Sequence, residues 1–172
     1  MDFDELLDKL DSLPTYNLEL GVFTDTSARK GSRVSGVTNA ELMFIHENGS
    51  PLRHVPARPV LRKTLIHVRR NWLDKETDKL FKIFVKTDGN QDDIEKELEK
   101  FCIRIQNHAR NIIYDNNGEL MENAPSVMKA KWKKEKHSKG ATWTYPEGNH
   151  PLFDTGQLAR SIVCRLTKEN KL

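Results

Sequence analysis

Residues 91–114, QDDIEKELEKFCIRIQNHARNIIY, contain the clearest structural signal in the chain. Apolar side chains recur at intervals of three or four residues, which is the repeat of an α-helix with one buried face. The stripe comprises Ile94, Leu98, Phe101, Cys102, Ile105, Ala109 and Ile112. We therefore predict one long amphipathic helix whose apolar face packs into the hydrophobic core.

A second helical pattern precedes this helix and predicts a helical hairpin over residues 60–114. Its polar gap near residues 75–79 predicts a bend or an emergence into solvent, and residues 88–90, Asp-Gly-Asn, predict the turn. Two consecutive helices joined by a short turn should lie antiparallel. The apolar positions of this second pattern are Leu61, Leu65, Val68, Trp72, Leu80, Ile83 and Phe84.

The segments before the hairpin predict two further helices and a strand. Leucines at helical spacing predict a short amphipathic N-terminal helix within residues 1–13. Alternating apolar residues in 17–23 predict a strand. Thr38 and Glu41 have the spacing of a capping box, and Gly49 is a typical C-terminal stop, so we expect a helix between them.

The remaining segments predict loops and a final strand. Residues 24–36 are rich in Ser, Gly, Thr and basic residues and predict a mobile loop. Glycine and proline mark a long loop at 140–153, and residues 156–166 predict a helical turn that leads into a strand. We expect residues 167–172 to be a disordered tail. The fold class is α+β, a single domain with a small antiparallel or mixed sheet packed against helices.

Composition sets broad limits on function. The 172 residues are 37% hydrophobic and 31% charged, enough for one modest core beneath a charged surface. No apolar run is long enough to cross a bilayer. The acidic, amphipathic start, MDFDELLDKL, does not resemble a secretory signal. We therefore expect assembly in the cytoplasm of the cell that makes the protein.

Charge is unevenly distributed although the formal net charge is only +3. Residues 1–13 carry five carboxylates and one lysine, whereas residues 51–70 carry six basic residues and no carboxylate. Residues 129–139 carry six lysines and one glutamate. Such blocks serve contacts between subunits or with nucleic acid, or they are simply solvated faces.

Two motifs suggest enzymatic chemistry but lack the partners that it requires. The triplet Asp154-Thr155-Gly156 occurs in aspartic proteases, but these need a second carboxylate and several later strands, and only residues 157–172 follow it. We expect Asp154 or Thr155 to cap the next helical turn instead. His46-Glu47 begins like a zinc-protease helix, yet Ser50 stands where the second histidine should be. We therefore expect no catalytic group, no metal site and no cofactor.

Cysteines and aromatic residues give weaker signals. Cys102 and Cys164 lack any zinc-type or redox-motif spacing, so we expect reduced, buried thiols. Trp132, Trp143 and Tyr145 lie in or near the lysine-rich stretch. Such rings can stack on bases, but they more often anchor a loop to the core.

Two segments, in this order, resemble the tail-completion or head–tail joining family of long-tailed bacteriophages. The first is His46-Glu47-Asn48-Gly49 followed by Val55-Pro56-Ala57-Arg58-Pro59-Val60-Leu61, similar to the family's H-E-x-G, gap and I/V-P-A-R-P-F-L, with Val60 replacing the usual Phe. The second, residues 151–162 (PLFDTGQLARSI), is similar to the family's P-L-x-x-T/S-G-x-L-x-x-S-I. The resemblance covers about a third of the chain.

The resemblance implies a non-enzymatic structural protein of the virion neck. It implies a ring of identical subunits around the DNA channel, between connector or adaptor proteins on the head side and the tail tube or tail-terminator protein on the other. A tail terminator that caps the tube is the alternative within this class, and a non-specific nucleic-acid-binding phage protein is the alternative outside it. Weak, non-specific contact with DNA in the channel is expected.

Physical reasoning about the motifs assigns structural or interface roles. Pro56 and Pro59 should stiffen the connector and aim the next helix. Arg58 can make fork-like contacts to carboxylates or carbonyls within its own subunit or on a neighbour. We expect Arg58→Ala to leave the domain folded but to reduce the joining of tails to heads. The full set of interface or structural candidates is Arg53, Pro56, Arg58, Pro59, Arg62, Asp154, Gly156 and Leu158. The acidic start and the basic 51–70 stretch are the patches that we expect to pair between subunits.

Overall fold

A computed structural model describes residues 2–28, 36–115, 120–124, 127, 151–152 and 156–169. Within these residues the chain forms six helices, two strands and two short 3-10 turns. In chain order they are α1 (Phe3–Ser12), β1 (Thr15–Gly21), a turn at Thr24–Thr26, α2 (Asn39–Asn48), a turn at Pro51–Arg53, α3 (Val60–Asn71), α4 (Leu73–Lys86), α5 (Gln91–Asp115), α6 (Gln157–Ser161) and β2 (Val163–Glu169).

The predicted hairpin is present, with α5 as its central element. All seven residues of the apolar stripe are buried, as its helical spacing predicted. At the beginning of α3, Val60 packs with Ala109 and Ile112 near the end of α5. Near the end of α4, Phe84 packs with Ile94 and other residues at the beginning of α5. Helices α3 and α4 therefore run antiparallel to α5.

The helical segment that precedes α5 is interrupted at a different position from the predicted one. The helix breaks at Trp72, three residues before the polar gap, and residues 75–79 continue as regular α4. Within the gap, Glu76 is 3% exposed and forms an ion pair with Arg104 of α5. Lys79 pairs in the same way with Glu97. The bend predicted near 75–79 thus falls at Trp72 instead. The predicted emergence into solvent holds for the exposed residues Lys75, Thr77, Asp78 and Lys79, whereas Glu76 faces α5 because its ion pair offsets the burial of its charge.

The sheet consists of β1 and β2, the first and last strands, paired antiparallel. Leu18 lies opposite Leu166, and Leu20 lies opposite Cys164. These apolar side chains share one face and pack against the hairpin. The α+β class with a small sheet against helices is confirmed, and of the two sheet types considered the antiparallel one is present.

Helix α2 has the predicted boundaries and caps. The Thr38 side chain accepts the backbone N–H of Glu41 at 3.2 Å, and the Glu41 carboxylate accepts the N–H of Thr38 at 2.8 Å. The backbone N–H and the side-chain hydroxyl of Thr38 both donate to the Glu41 carboxylate, and these two hydrogen bonds lower the pKa of Glu41 below its ordinary value. Gly49 ends the helix with a φ of +75°, a conformation that glycine adopts without strain.

Three segments that were predicted to be irregular are described in part. In the predicted loop 24–36, residues 24–26 form a 3-10 turn and buried Ser27 accepts the N–H of Asn39, while residues 29–35 lie outside the described residues. Residues 167–169 complete β2 by pairing with β1, so the predicted disordered tail is wrong for them, and 170–172 lie outside the description. Of the long loop predicted at 140–153, only residues 151–152 are described, and Pro151 is fully buried.

Candidate functional site

The first motif segment folds into a closed connector between α2 and α3. Ser50 and Val55 exchange backbone hydrogen bonds of 2.8 and 3.0 Å, so residues 50–55 form a tight loop. A Cβ atom at Gly49 would lie 2.9 Å from the backbone nitrogen of Ala57, closer than real Cβ atoms come to other atoms. Glycine at this position therefore permits the close approach of the two chain segments.

Glu47, the glutamate of the first motif, binds the N-terminus of α3. Its carboxylate accepts the backbone N–H of Leu61 at 3.0 Å and that of Arg62 at 2.8 Å. These two N–H groups lie in the first turn of α3 and have no acceptor within the helix. A carboxylate there also interacts favourably with the helix dipole. Glu47 thus caps α3 from the end of α2, a long-range role that the sequence alone did not assign.

The two prolines lie in the connector that leads into α3. Pro59 immediately precedes Val60, the first residue of α3, with a φ of −76°. Because proline has no N–H, it needs no acceptor at a helix N-terminus. Pro56 is half-buried in the connector. Both prolines therefore restrict the backbone that leads into α3.

Arg58 lies inside the subunit. It is 5% exposed, and its Nε and Nη2 atoms donate to the carbonyl oxygens of Met121 and Glu122 at 2.8 and 2.7 Å. Burial lowers the pKa of its guanidinium group. The hypothesis that Arg58 reaches a neighbouring subunit is therefore wrong. Its fork-like contact is internal and holds residues 121–122 against the connector.

The second motif segment packs into the same core as the first. Leu158, Ala159 and Ile162 are 4%, 0% and 0% exposed. They belong to one cluster with Met43 of α2 and Val60 of α3, together with the end of α5. Although the two motifs lie far apart in sequence, they therefore form one connected unit.

Gly156 and Arg110 fix the second motif. Gly156 precedes α6 with a φ of +70°, in the left-handed region that favours glycine. The Nη2 atom of Arg110 donates to the carbonyl oxygens of Ile162 and Arg160 at 2.8 and 3.1 Å. No pattern in the sequence indicated this role of Arg110. Asp154 and Thr155 lie outside the described residues, so their proposed capping role stays a prediction.

A basic end of the molecule lies beside the first motif. Arg53 and Arg62 are exposed there. Two apolar side chains are exposed at the same end, with Leu52 96% and Phe44 71% accessible. We call these four residues the basic end. Arg69 and Arg70 extend the positive charge along α3.

An acidic end is formed by α1. Its five carboxylates, at positions 2, 4, 5, 8 and 11, are exposed, and so are Phe3 (68%) and Leu7 (43%). The single cation, Lys9, already binds Glu5 at 3.0 Å and Asp88 at 2.6 Å. These contacts, with Asp88 first, raise the pKa of Lys9, and the hydrogen bond from Lys9 lowers the pKa of Glu5. The surface of α1 is therefore strongly negative.

The two ends lie at opposite ends of the α5 rod. The apolar side of α1 packs on Phe84, Ile94 and Leu98, at the beginning of α5. The motif core that carries the basic end packs on Ile112 and Ile113. At 1.5 Å per residue, positions 94 and 112 of a helix are about 27 Å apart along its axis. Opposite charges therefore lie at opposite ends of one molecule.

Other kinds of site find little support in the described part of the chain. Among those residues no group of three or more His, Cys, Asp or Glu side chains is placed to hold a metal ion. No described helix has both the length and the apolar character needed to span a bilayer. Comparisons with protein-family models, with curated proteins and with solved structures found no match.

Proposed function

We propose that this chain is a structural protein of the neck of a long-tailed bacteriophage, which joins or completes the tail at the head–tail interface. The observation that carries the proposal is the meeting of both motif segments in one core. The residues that resemble the family form a single structural unit, in which Glu47 caps a helix and Arg58 binds backbone carbonyls. These contacts of Glu47 and Arg58 support a structural role for the first motif.

The arrangement of charge supports assembly into a ring. A closed ring of identical subunits uses heterologous contacts, in which two different surfaces of each subunit meet. The acidic α1 of one copy and the basic end of the next are complementary in charge, and each exposes apolar side chains that association would bury. Their positions at opposite ends of the molecule let every subunit bind two neighbours.

Contact with DNA would be secondary to this role. The exposed arginines of α3 would meet phosphates of any sequence, so binding should fall steeply with salt and show no sequence preference. Titration of unrelated duplexes at two salt concentrations measures both properties. Tight, sequence-selective binding would instead favour the nucleic-acid-binding class.

Electron microscopy of a deletion lysate tests the proposed function. Deleting the gene from the phage genome that encodes this chain should leave filled heads and separate tails of normal length. Supplying the gene on a plasmid should restore complete particles. A tail terminator would instead give tails of abnormal length, because the tube would lack its cap. Complete particles in the deletion lysate would refute a role in the neck.

A further inference from the structure

The two cysteines of the chain lie in contact. Cys102 and Cys164 are 62 positions apart in sequence, and the chain contains no other cysteine. The fold nevertheless brings their Sγ atoms to within 2.9 Å, and both thiols are free. The sequence predicted reduced, buried thiols but gave no indication that they meet.

Rigid elements hold both thiols in place. Cys102 lies on the buried face of α5, and Cys164 lies on the inward face of β2, opposite Leu20. The backbone N–H of Cys164 donates to Oε1 of Gln106 on α5 at 3.1 Å. The strand is therefore already fixed to the helix at the position of the thiol.

We propose that Cys102 and Cys164 form a redox modification site, at which a low-molecular-weight disulfide such as oxidised glutathione converts the two thiols into one intramolecular disulfide. One thiolate attacks the small disulfide, gives a mixed disulfide and releases one reduced glutathione. The second thiolate then attacks the protein sulfur and releases the other. The protein loses two protons and two electrons, and the oxidant takes them up to become two thiols.

Little movement is needed to form the bond. A disulfide has a sulfur–sulfur distance of about 2.05 Å, so the two atoms must approach by about 0.9 Å. Burial raises the pKa of both thiols, and thiolates are therefore scarce at neutral pH. Oxidation should be slow, and its rate should rise about tenfold per pH unit while the pH is below these pKa values. The site stays reduced in a reducing cytoplasm and oxidises after the protein leaves it.

Oxidation would fasten the last strand to the long helix. The bond joins β2 to α5 and restrains the chain between positions 102 and 164 in the unfolded state. That loop contains the second motif and part of the motif core. This inference rests on the contact of the two thiols and not on the proposed neck function.

Mass spectrometry of the full-length protein tests the proposal. The folded protein is incubated with oxidised glutathione at mildly alkaline pH and then denatured so that its remaining thiols can be alkylated. Its intact mass and tryptic peptides are measured. We expect a monomer that has lost two hydrogens, with position 102 linked to 164 and no alkyl group. Its melting temperature should exceed that of the reduced protein by roughly 5–15 °C.

Single-cysteine variants provide the control. Cys102→Ser and Cys164→Ser should carry one glutathione or one alkyl group and show no rise in melting temperature on oxidation. Cys164→Ala serves the same purpose if the serine hydroxyl prevents folding. Two glutathione adducts on the wild-type protein, a disulfide-linked dimer, two alkylated thiols or a lower melting temperature after oxidation would each overturn the proposal.

Discussion

At the scale of single residues, the motif side chains act through backbone groups. Glu47 accepts two N–H groups at the start of α3, and Arg58 donates to two carbonyl oxygens. Both side chains therefore satisfy polar backbone groups that would otherwise lose hydrogen bonds on burial. A motif with this chemistry preserves a shape, which is what an assembly protein requires of it.

Replacing Arg58 should destabilise the fold. Arg58→Ala leaves the carbonyl oxygens of Met121 and Glu122 without their donors, and we expect the free energy of unfolding to fall by about 2–3 kcal/mol. Arg58→Lys should recover only part of this loss, because an ammonium group lacks the planar fork. Urea denaturation measures both values. Exposed Arg62 is the matched control, and equal losses for Arg58→Ala and Arg62→Ala would contradict the assignment.

Sequence reasoning at this scale identified the right residues but not all of their partners. The capping box at Thr38 is local, and so the sequence sufficed to predict it. Glu47 and Arg58 act on segments that approach only after folding, and no local pattern encodes those contacts. The contact between Cys102 and Cys164 was missed for the same reason.

At the scale of elements, cross-helix ion pairs join α4 to α5. Glu97 is buried, and its carboxylate binds Lys79 and Lys100. The hydrogen bond from Lys79, followed by that from Lys100, lowers the pKa of Glu97 below its ordinary value of 4.5 although burial opposes the change. The charged form of Glu97 therefore stabilises the packing of the two helices.

Acid should weaken this packing within a defined pH window. Because the folded-state pKa of Glu97 lies below its unfolded value, its contribution is present above about pH 4.5 and disappears as the pH falls through the folded-state pKa. Glu97→Gln should lower stability at neutral pH and reduce the loss on acidification. Urea denaturation between about pH 7 and pH 3 measures both effects. Glu99→Gln, at an exposed position, is the control, and identical pH profiles for wild type and Glu97→Gln would contradict the assignment.

The sequence predicted most helix positions but not the break within the hairpin. Apolar periodicity gave α5 its range to within one residue and α3 its first residue. The break at Trp72 has no proline or glycine signal. The Trp72 ring packs against the rings of His67 and His108, with centroid distances of 5.1 and 5.2 Å. This contact requires His108 of α5, so it is tertiary and cannot be predicted from a local sequence pattern.

At the scale of the whole molecule, the fold separates two charge blocks that the sequence had already shown. Composition revealed an acidic start and a basic stretch at 51–70. Their placement at opposite ends of α5 required the packing of α1 on the beginning of that helix. When two copies meet end to end, this separation pairs an acidic end with a basic end, which is the heterologous contact that the proposed ring requires.

Charge reversal tests the head-to-tail pairing. Asp4→Lys/Asp8→Lys/Asp11→Lys changes the net charge of residues 1–13 from −4 to +2 and gives a molecule with two basic ends. Arg53→Glu/Arg62→Glu/Lys63→Glu changes that of residues 51–63 from +4 to −2 and gives one with two acidic ends. Each variant alone should self-associate at least tenfold more weakly than wild type, because like charges then meet. An equimolar mixture should recover association, since complementary ends meet again at every contact. Sedimentation velocity at low salt measures this, and association of either variant at wild-type strength would contradict the pairing.

Head–tail joining in vitro tests the proposed function most directly. Heads and tails from a lysate that lacks this protein are mixed with the purified wild-type chain, and the infectious titre is measured. We expect the titre to rise with protein concentration, and either charge-reversed variant alone to restore much less of it. A titre that stays at background with folded wild-type protein, or that is already normal without it, would contradict the proposed neck function.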